Sequence, residues 1–272
     1  MQHSLEGKTA LITGGSRGIG RAIAQRLAAD GALVAIHYGG NDAAANETLK
    51  AIEQTGGQAF LVKAELGVNG DVDVLFSKLE KGLTGRPLDI LVNNAAVAPQ
   101  ITVHQTTPEE FDRIFAINVR APFFIIQRAL PLMPDGGRII NISSGVTWFA
   151  TPATVYSMTK GALNVLGRSL ANLLGDRNIT VNTISPGITD TDMNPSIRDK
   201  DSEAVERVAA MTALGGPGAP ADIGDVVAFF ASDDARWITG QTLDVTAVCF
   251  WDPKNSDYIG RLKPERNRSF FN

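Results

Sequence analysis

The sequence predicts an α/β fold in which one parallel sheet is covered by helices. Short β-branched runs alternate with longer amphipathic segments along the chain. A glycine-rich stretch, Thr13-Gly14-Gly15-Ser16-Arg17-Gly18-Ile19-Gly20, stands directly between the first such run and the first amphipathic segment. No internal repeat, low-complexity tract or linker divides the 272 residues. Doubly wound α/β folds often run to about 250 residues as one domain. A single domain over residues 1–250 is therefore expected, with residues 251–272 as an extension beyond the sheet.

The elements follow in order. Residues 9–13 form the first strand, and residues 17–30 a helix with Ile19, Ile23 and Leu27 on one face. A strand at 33–37 and a helix at 42–54 come next. Strands at 59–63 and 90–93 are separated by a helix at 72–83. Residues 108–130 give one long helix, bent where Pro122 interrupts the hydrogen-bond ladder. A strand at 138–143, a helix at 154–174 and a strand at 180–184 continue the alternation. A helical insertion spans 193–212, then a Gly/Pro-rich turn at 215–220, a short helix at 222–231 and a last strand at 241–245.

Composition narrows the function classes. A hydrophobic fraction of 44% with 20% charged residues is that of a globular protein. The net charge of −4 gives no sign of a nucleic-acid or anionic-membrane partner. The single cysteine, Cys249, has no partner for an intrachain disulfide. No signal peptide and no run of about 18 apolar residues is present, so a cytoplasmic location and no membrane partner are expected. His3 and His104 read as surface residues. No His, Cys and acid cluster has metal-ligand spacing, so no metal is expected.

The glycine stretch carries the first chemistry. Glycines let the backbone turn tightly and approach a pyrophosphate, and the following helix offers unpaired N–H groups and partial positive charge. Dinucleotide binding by Gly14, Ser16, Arg17, Gly18, Ile19 and Gly20 is the expectation. An acid ending strand two would bind the adenosine ribose and repel a 2′-phosphate. Here that end runs Ile36-His37-Tyr38-Gly39-Gly40-Asn41, with no acid until Asp42. The Arg17 guanidinium is placed to meet a phosphate. Both features favour NADP(H) over NAD(H), with Tyr38 and Asn41 near the adenosine and His37 at the cofactor's adenosine end.

Further motifs occur in order: Asn93-Asn94-Ala95, Asn118, Ser143-Ser144, Tyr156-x-x-x-Lys160 and Pro186-Gly187. With the glycine loop, they resemble the single-domain branch of the short-chain dehydrogenase/reductase family, over roughly residues 5–247. The resemblance, closest to 3-oxoacyl reductase-like members, implies a Rossmann fold with a seven-stranded parallel sheet and helices on both faces. It places Asn93, Asn94 and Ala95 along the adenosine ribose and the central strand, and Glu65 and Leu66 against adenine. Pro186, Gly187 and Ile188 cap the nicotinamide, and Thr191 binds its carboxamide or a phosphate. Glu65 replaces the family's usual Asp, and Ala96 replaces a glycine beside the nicotinamide riboside.

The resemblance also assigns the chemistry. Tyr156 and Lys160 share one helix face. A free tyrosine titrates near ~10, and an adjacent ammonium is expected to pull that value down. Tyr156 then donates its proton to a carbonyl oxygen in reduction, or accepts an alcohol proton in oxidation. Lys160 also binds the nicotinamide ribose, and Asn118 holds a water linking the lysine to solvent. A serine polarises the carbonyl. Alignment on the strand selects Ser144, whereas the family's usual interval from Tyr156 selects Ser143. Strand direction favours Ser144.

Substrate contacts are expected from residues 97–102, 145–155 and 193–212, where Trp148, Phe149, Met193 and Met211 make an apolar pocket for a ketone or alcohol. Trp251, Tyr258, Phe270 and Phe271 are expected at a subunit boundary, and the resemblance implies a homotetramer or homodimer. The functional expectation is an NADP(H)-dependent ketoreductase or alcohol dehydrogenase. An NAD-dependent secondary-alcohol or sugar dehydrogenase is the alternative. A non-catalytic cofactor-sensing protein is the reading from another class, and retention of both Tyr156 and Lys160 argues against it.

Overall fold

A computed structural model describes residues 4–149, 151–197 and 203–247. Seven parallel strands form one sheet in the order β3-β2-β1-β4-β5-β6-β7. They are β1 Thr9–Ile12, β2 Leu33–Tyr38, β3 Gln58–Lys63, β4 Ile90–Asn93, β5 Arg138–Ile142, β6 Thr180–Pro186 and β7 Thr242–Val245. The order reverses between β1 and β4, and the crevice above that point is where open α/β sheets take ligands.

The core lies on both faces of the sheet because successive side chains of a strand point oppositely. Ala10, Ile12, Val34, Ile36, Ile90 and Val92 enter one buried cluster, with Ile23, Leu27 and Val227 from the helices above. Leu11, Ala35, Leu91 and Ile139 enter the other, with Leu75, Leu79, Ile125 and Ala171. Burial on both faces explains why the strand sequences are apolar runs rather than alternating ones.

The helices are α1 Gly18–Ala29, α2 Asp42–Gln54, α3 Asp71–Leu83, α4 Pro108–Phe115, α5 Ala121–Ala129, α6 Thr154–Leu173, α7 Glu203–Met211 and α8 Pro220–Ala231. Two expectations are corrected. The segment expected as one helix bent at Pro122 is two helices joined by a π turn, Ala116–Arg120. Pro122 lies in the first turn of α5, where its missing N–H costs nothing to that helix. The carbonyl four residues earlier, that of Asn118, loses its ordinary donor, and the ladder shifts register before the proline. Among the described residues, the insertion expected to be helical from 193 shows a 3-10 turn at Pro195–Ile197 and then α7. Trp251, Tyr258, Phe270 and Phe271, together with Cys249 and His3, lie outside the described residues.

Candidate active site

The glycine loop runs from the end of β1 into α1. Gly14 and Gly18 have φ of +65° and +54°, a conformation that L side chains rarely adopt. A Cβ on Gly20 would stand 2.1 Å from the carbonyl oxygen of Gly14, so only hydrogen fits there. Arg17 caps α1 with extended backbone and no side-chain hydrogen bond, which leaves the first-turn N–H groups facing outward for an anion.

Neighbouring elements hold the loop from three sides. The Gly14 N–H donates to Nδ1 of His37 at 3.1 Å, and the Gly15 N–H donates to the His37 carbonyl at 2.8 Å. Asn94 Nδ2 donates to the carbonyls of Thr13 and Gly14 at 2.9 and 3.1 Å. Thr13 Oγ1 accepts from the N–H groups of Asn94 and Ala95. The Ser16 carbonyl accepts from Arg21 and from Thr48 Oγ1. His37 is therefore corrected: it is 2% exposed and sits beneath the loop, not against an adenosine. Its Nε2 lies 2.9 Å from the Ala64 carbonyl, and burial pushes its pKa down to about 4. The neutral ring, protonated on Nε2, satisfies both neighbours. Sequence reasoning also missed Arg21 and Thr48, whose contacts with the loop join separate elements.

At the far end of β2, Tyr38 is buried and donates through its hydroxyl to Asp42 at 2.8 Å. Lys63 pairs with the same carboxylate at 2.7 Å. These two partners hold Asp42 below the usual carboxylate range. Asn41 caps α2 by accepting from the Ala44 N–H. Arg17, Gly18, Arg21, Asn41, Thr191 and Asp192 help line a cleft of about 640 Å³ between α1, α2 and the segment after β6. Arg17 reaches Asp192 at 3.7 Å across it. Glu65 is exposed, Leu66 packs on one core cluster, and the Ile19 side chain packs on the other. Asn93 turns into the sheet and donates to Asn141 at 2.9 Å.

The C-terminal ends of β4, β5 and β6 bring the other candidates together. Asn118, in the π turn, is 1% exposed. Its Oδ1 accepts from the Val97 N–H, and its Nδ2 donates to the Val97 carbonyl and to Thr159 Oγ1. One side chain thereby joins the loop after β4 to α6. Ser143 and Ser144 face opposite ways. Ser143 Oγ donates to the Lys160 carbonyl at 3.1 Å and is buried. The Ser144 side chain hydrogen-bonds Tyr156. Lys160, 2% exposed, donates from Nζ to the Ile142 carbonyl at 2.7 Å. Its Nζ lies 5.6 Å from the centre of the Tyr156 ring. Burial pushes its pKa down to about 7.

The expectation for the phenol is also corrected. Burial pushes the Tyr156 pKa up, and its hydrogen bond to Ser144 offsets this only in part. Desolvation penalises the phenolate, so the nearby lysine does not reverse the direction. After β6, Pro186 pairs with Val245, and Gly187 runs so close to Thr246 that a Cβ would stand 2.8 Å from its Cα. Ile188 is half-buried, and Thr191 leans over Gly18. Among the described residues no group of three or more His, Cys, Asp or Glu is placed to hold a metal, and no helix is long and apolar enough to cross a membrane.

A family model described as enoyl-(acyl carrier protein) reductase matches residues 14–247. Tetrahydroxynaphthalene reductase of Pyricularia oryzae is 38% identical over 254 residues, covering 89% of each chain. The structure of LugOII, a promiscuous reductase catalysing keto-reduction at C1 in lugdunomycin biosynthesis, superposes with a TM-score of 0.86. Its identity is 53%, over 89% of this chain and 98% of the other. The angucycline C-6 ketoreductase LanV with bound NADP gives 0.85 at 53% identity, over 90% and 96% of the two chains.

Proposed function

The chain belongs to the short-chain dehydrogenase/reductase family and is an oxidoreductase of its ketoreductase type, and from that premise we propose an NADP(H)-dependent reductase of polycyclic aromatic ketones. One observation carries the reading: Ser144 and Tyr156 hydrogen-bond each other above a buried Lys160, at the strand ends that also bear the glycine loop.

The residues present fit a dinucleotide. The left-handed glycines, the space at Gly20 that only hydrogen fills and the outward N–H groups of α1 form an anion cradle. Gly14, Ser16, Gly18, Ile19 and Gly20 would hold the pyrophosphate, and Ala95 would flank the adenosine ribose. Pro186, Gly187, Ile188 and Thr191 would flank the nicotinamide, and Lys160 its ribose. Such a cofactor supplies the hydride that reduces the carbonyl carbon. The preference for NADP(H) rests on Arg17 in the cleft and on Asp42, whose charge is already met by Lys63. NADP bound to LanV supports it.

Ser144 and Tyr156 would together hold the substrate oxygen, and Tyr156 would give it the phenolic proton as the carbon gains hydride. The high phenol pKa keeps that proton in place at neutral pH until the oxygen becomes basic. Asn118 would anchor the route by which Lys160 meets solvent. Trp148, Phe149, Met193 and Met211, the first and third of them exposed, would supply an apolar lining, which suits a bulky aromatic ketone. Keto-reduction at C1 in lugdunomycin biosynthesis is the reaction named for LugOII, and LanV, named as an angucycline C-6 ketoreductase, has also been solved with rabelomycin. Exposed Phe123, Phe124, Val165 and Leu173 on α5 and α6 support assembly as a homodimer or homotetramer of a cytoplasmic enzyme.

The test is titration with NADPH and NADH, followed by turnover of a fused-ring ketone panel. Tighter NADPH binding, with turnover lowered about 10³-fold in Tyr156→Phe, is expected. Preference for NADH would overturn the cofactor assignment, and binding of neither would overturn the enzyme reading.

A further inference from the structure

We infer that His37 is the positioning residue that holds the glycine loop in its nucleotide-binding shape, so that cofactor affinity depends on a side chain that never meets the cofactor. The inference rests on the proposed reading of the loop as the dinucleotide cradle.

The geometry singles out one ring atom. Gly14 is the left-handed residue at which the chain leaves β1, and its N–H has Nδ1 of His37 as its acceptor. The opposite ring nitrogen is fixed against the Ala64 carbonyl just beyond β3. The ring thus spans from the loop to the third strand, held at both ends and closed to solvent. The His37 carbonyl takes the next N–H, that of Gly15, while Asn94 takes the Gly14 carbonyl. The peptide groups on both sides of Gly14 are therefore fixed by the protein, and the outward N–H groups of α1 are aimed before any ligand arrives. A preorganised loop spares the ligand the cost of ordering it. Without the acceptor, the part-buried Gly14 N–H loses its partner against the buried His37 ring, and the peptide gains by rotating toward solvent. That rotation distorts the cradle at its first glycine.

Replacement separates the acceptor from the bulk of the ring. His37→Phe keeps an aromatic ring and removes both nitrogens. His37→Asn places its amide oxygen level with Nδ1 and retains the acceptor. His37→Gln carries its amide one methylene further, level with Nε2, and loses the acceptor at Gly14. NADPH affinity would be read by fluorescence titration of the purified full-length protein, and steady-state kinetics would separate KM for NADPH from kcat. His37→Phe and His37→Gln are expected to weaken NADPH binding about tenfold or more, and His37→Asn less than about threefold. The loss falls on KM, with kcat at saturating NADPH moving far less. NADPH binding by His37→Phe at wild-type affinity overturns the inference. So does binding by His37→Asn as weak as that of His37→Gln, a comparison that stands even where the phenylalanine variant does not fold. Wild-type protein that binds neither NADPH nor NADH overturns the parent reading, and this inference with it. Wild-type binding with indifferent variants overturns this inference alone.

Discussion

Lys160 Nζ hydrogen-bonds the carbonyl oxygen of Ile142 at 2.7 Å, tying the middle of α6 to the last residue of β5 directly behind Ser144 and Tyr156. The tie holds an ionisable group that is 2% exposed. With its pKa lowered from 10.5 to about 7, the unfolded chain binds the proton more tightly than the folded one between those values. Stability therefore rises with pH from about 7 toward 10.5, and below about 7 the full cost of the buried charge is present. Lys160→Met is expected to abolish that slope and to raise Tm at pH 7 by roughly 2–4 °C. Turnover should fall at least about 10²-fold. Thermal unfolding of both proteins across pH checks the first outcome, and ketone reduction the second.

The serines should separate cleanly. Ser144→Ala removes the hydroxyl that meets Tyr156 and is expected to lower kcat/KM about 10²-fold with little change in stability. Ser143→Ala removes a buried hydrogen bond to the Lys160 carbonyl and is expected to cost about 1 kcal/mol of stability. Its activity should stay within a few-fold. Denaturant melts alongside kinetics on the two variants decide the matter, and the reverse pattern would assign the polarising role to Ser143.

His37 gives an acid-side signature. Its pKa is lowered from 6.5 to about 4, so the unfolded state takes up the proton first as pH falls. The stability this group contributes is complete above about 6.5 and is lost progressively down to about 4. The slope it adds is at most about 1.4 kcal/mol per pH unit. His37→Asn should flatten the stability profile in that window and leave it unchanged above pH 7. Urea melts at closely spaced pH values measure it.

Arg17 is exposed and supplies no buried contact, so its removal should leave folding intact. Arg17→Ala is expected to raise KM for NADPH about tenfold while KM for NADH changes little, because only the former carries a 2′-phosphate for the guanidinium. Equal effects on both cofactors would locate Arg17 at the shared pyrophosphate.

The strands and most helices were legible because sheet burial on both faces forces apolar β-branched runs, as in Leu33–Tyr38 and Arg138–Ile142. Loop and helix positions of the candidate site were legible for a related reason: tight backbone geometry at Gly14, Gly18 and Gly20 admits few residue types. What escaped depends on contacts between distant segments. His37 stands 23 residues from its loop partner, and nothing local marks the ring as an acceptor. The two serines were ambiguous because strand alternation ends at Ile142, where Ser144 becomes the cap of a 3-10 turn. The phenol shift had the wrong expected sign because spacing along a helix reveals the neighbouring lysine but not the desolvation around both groups.

The π turn at Ala116–Arg120 has a consequence for how one stretch of chain serves two surroundings. An α-helix advances about 100° per residue, so one extra residue in a turn offsets everything downstream by about that angle. The angular phase of α5 is thus decoupled from that of α4, and the offset falls at the turn containing Asn118. A single-residue deletion there would restore one unbroken phase, swing the asparagine away from Val97 and Thr159, and turn the buried stripe of α5 away from the sheet.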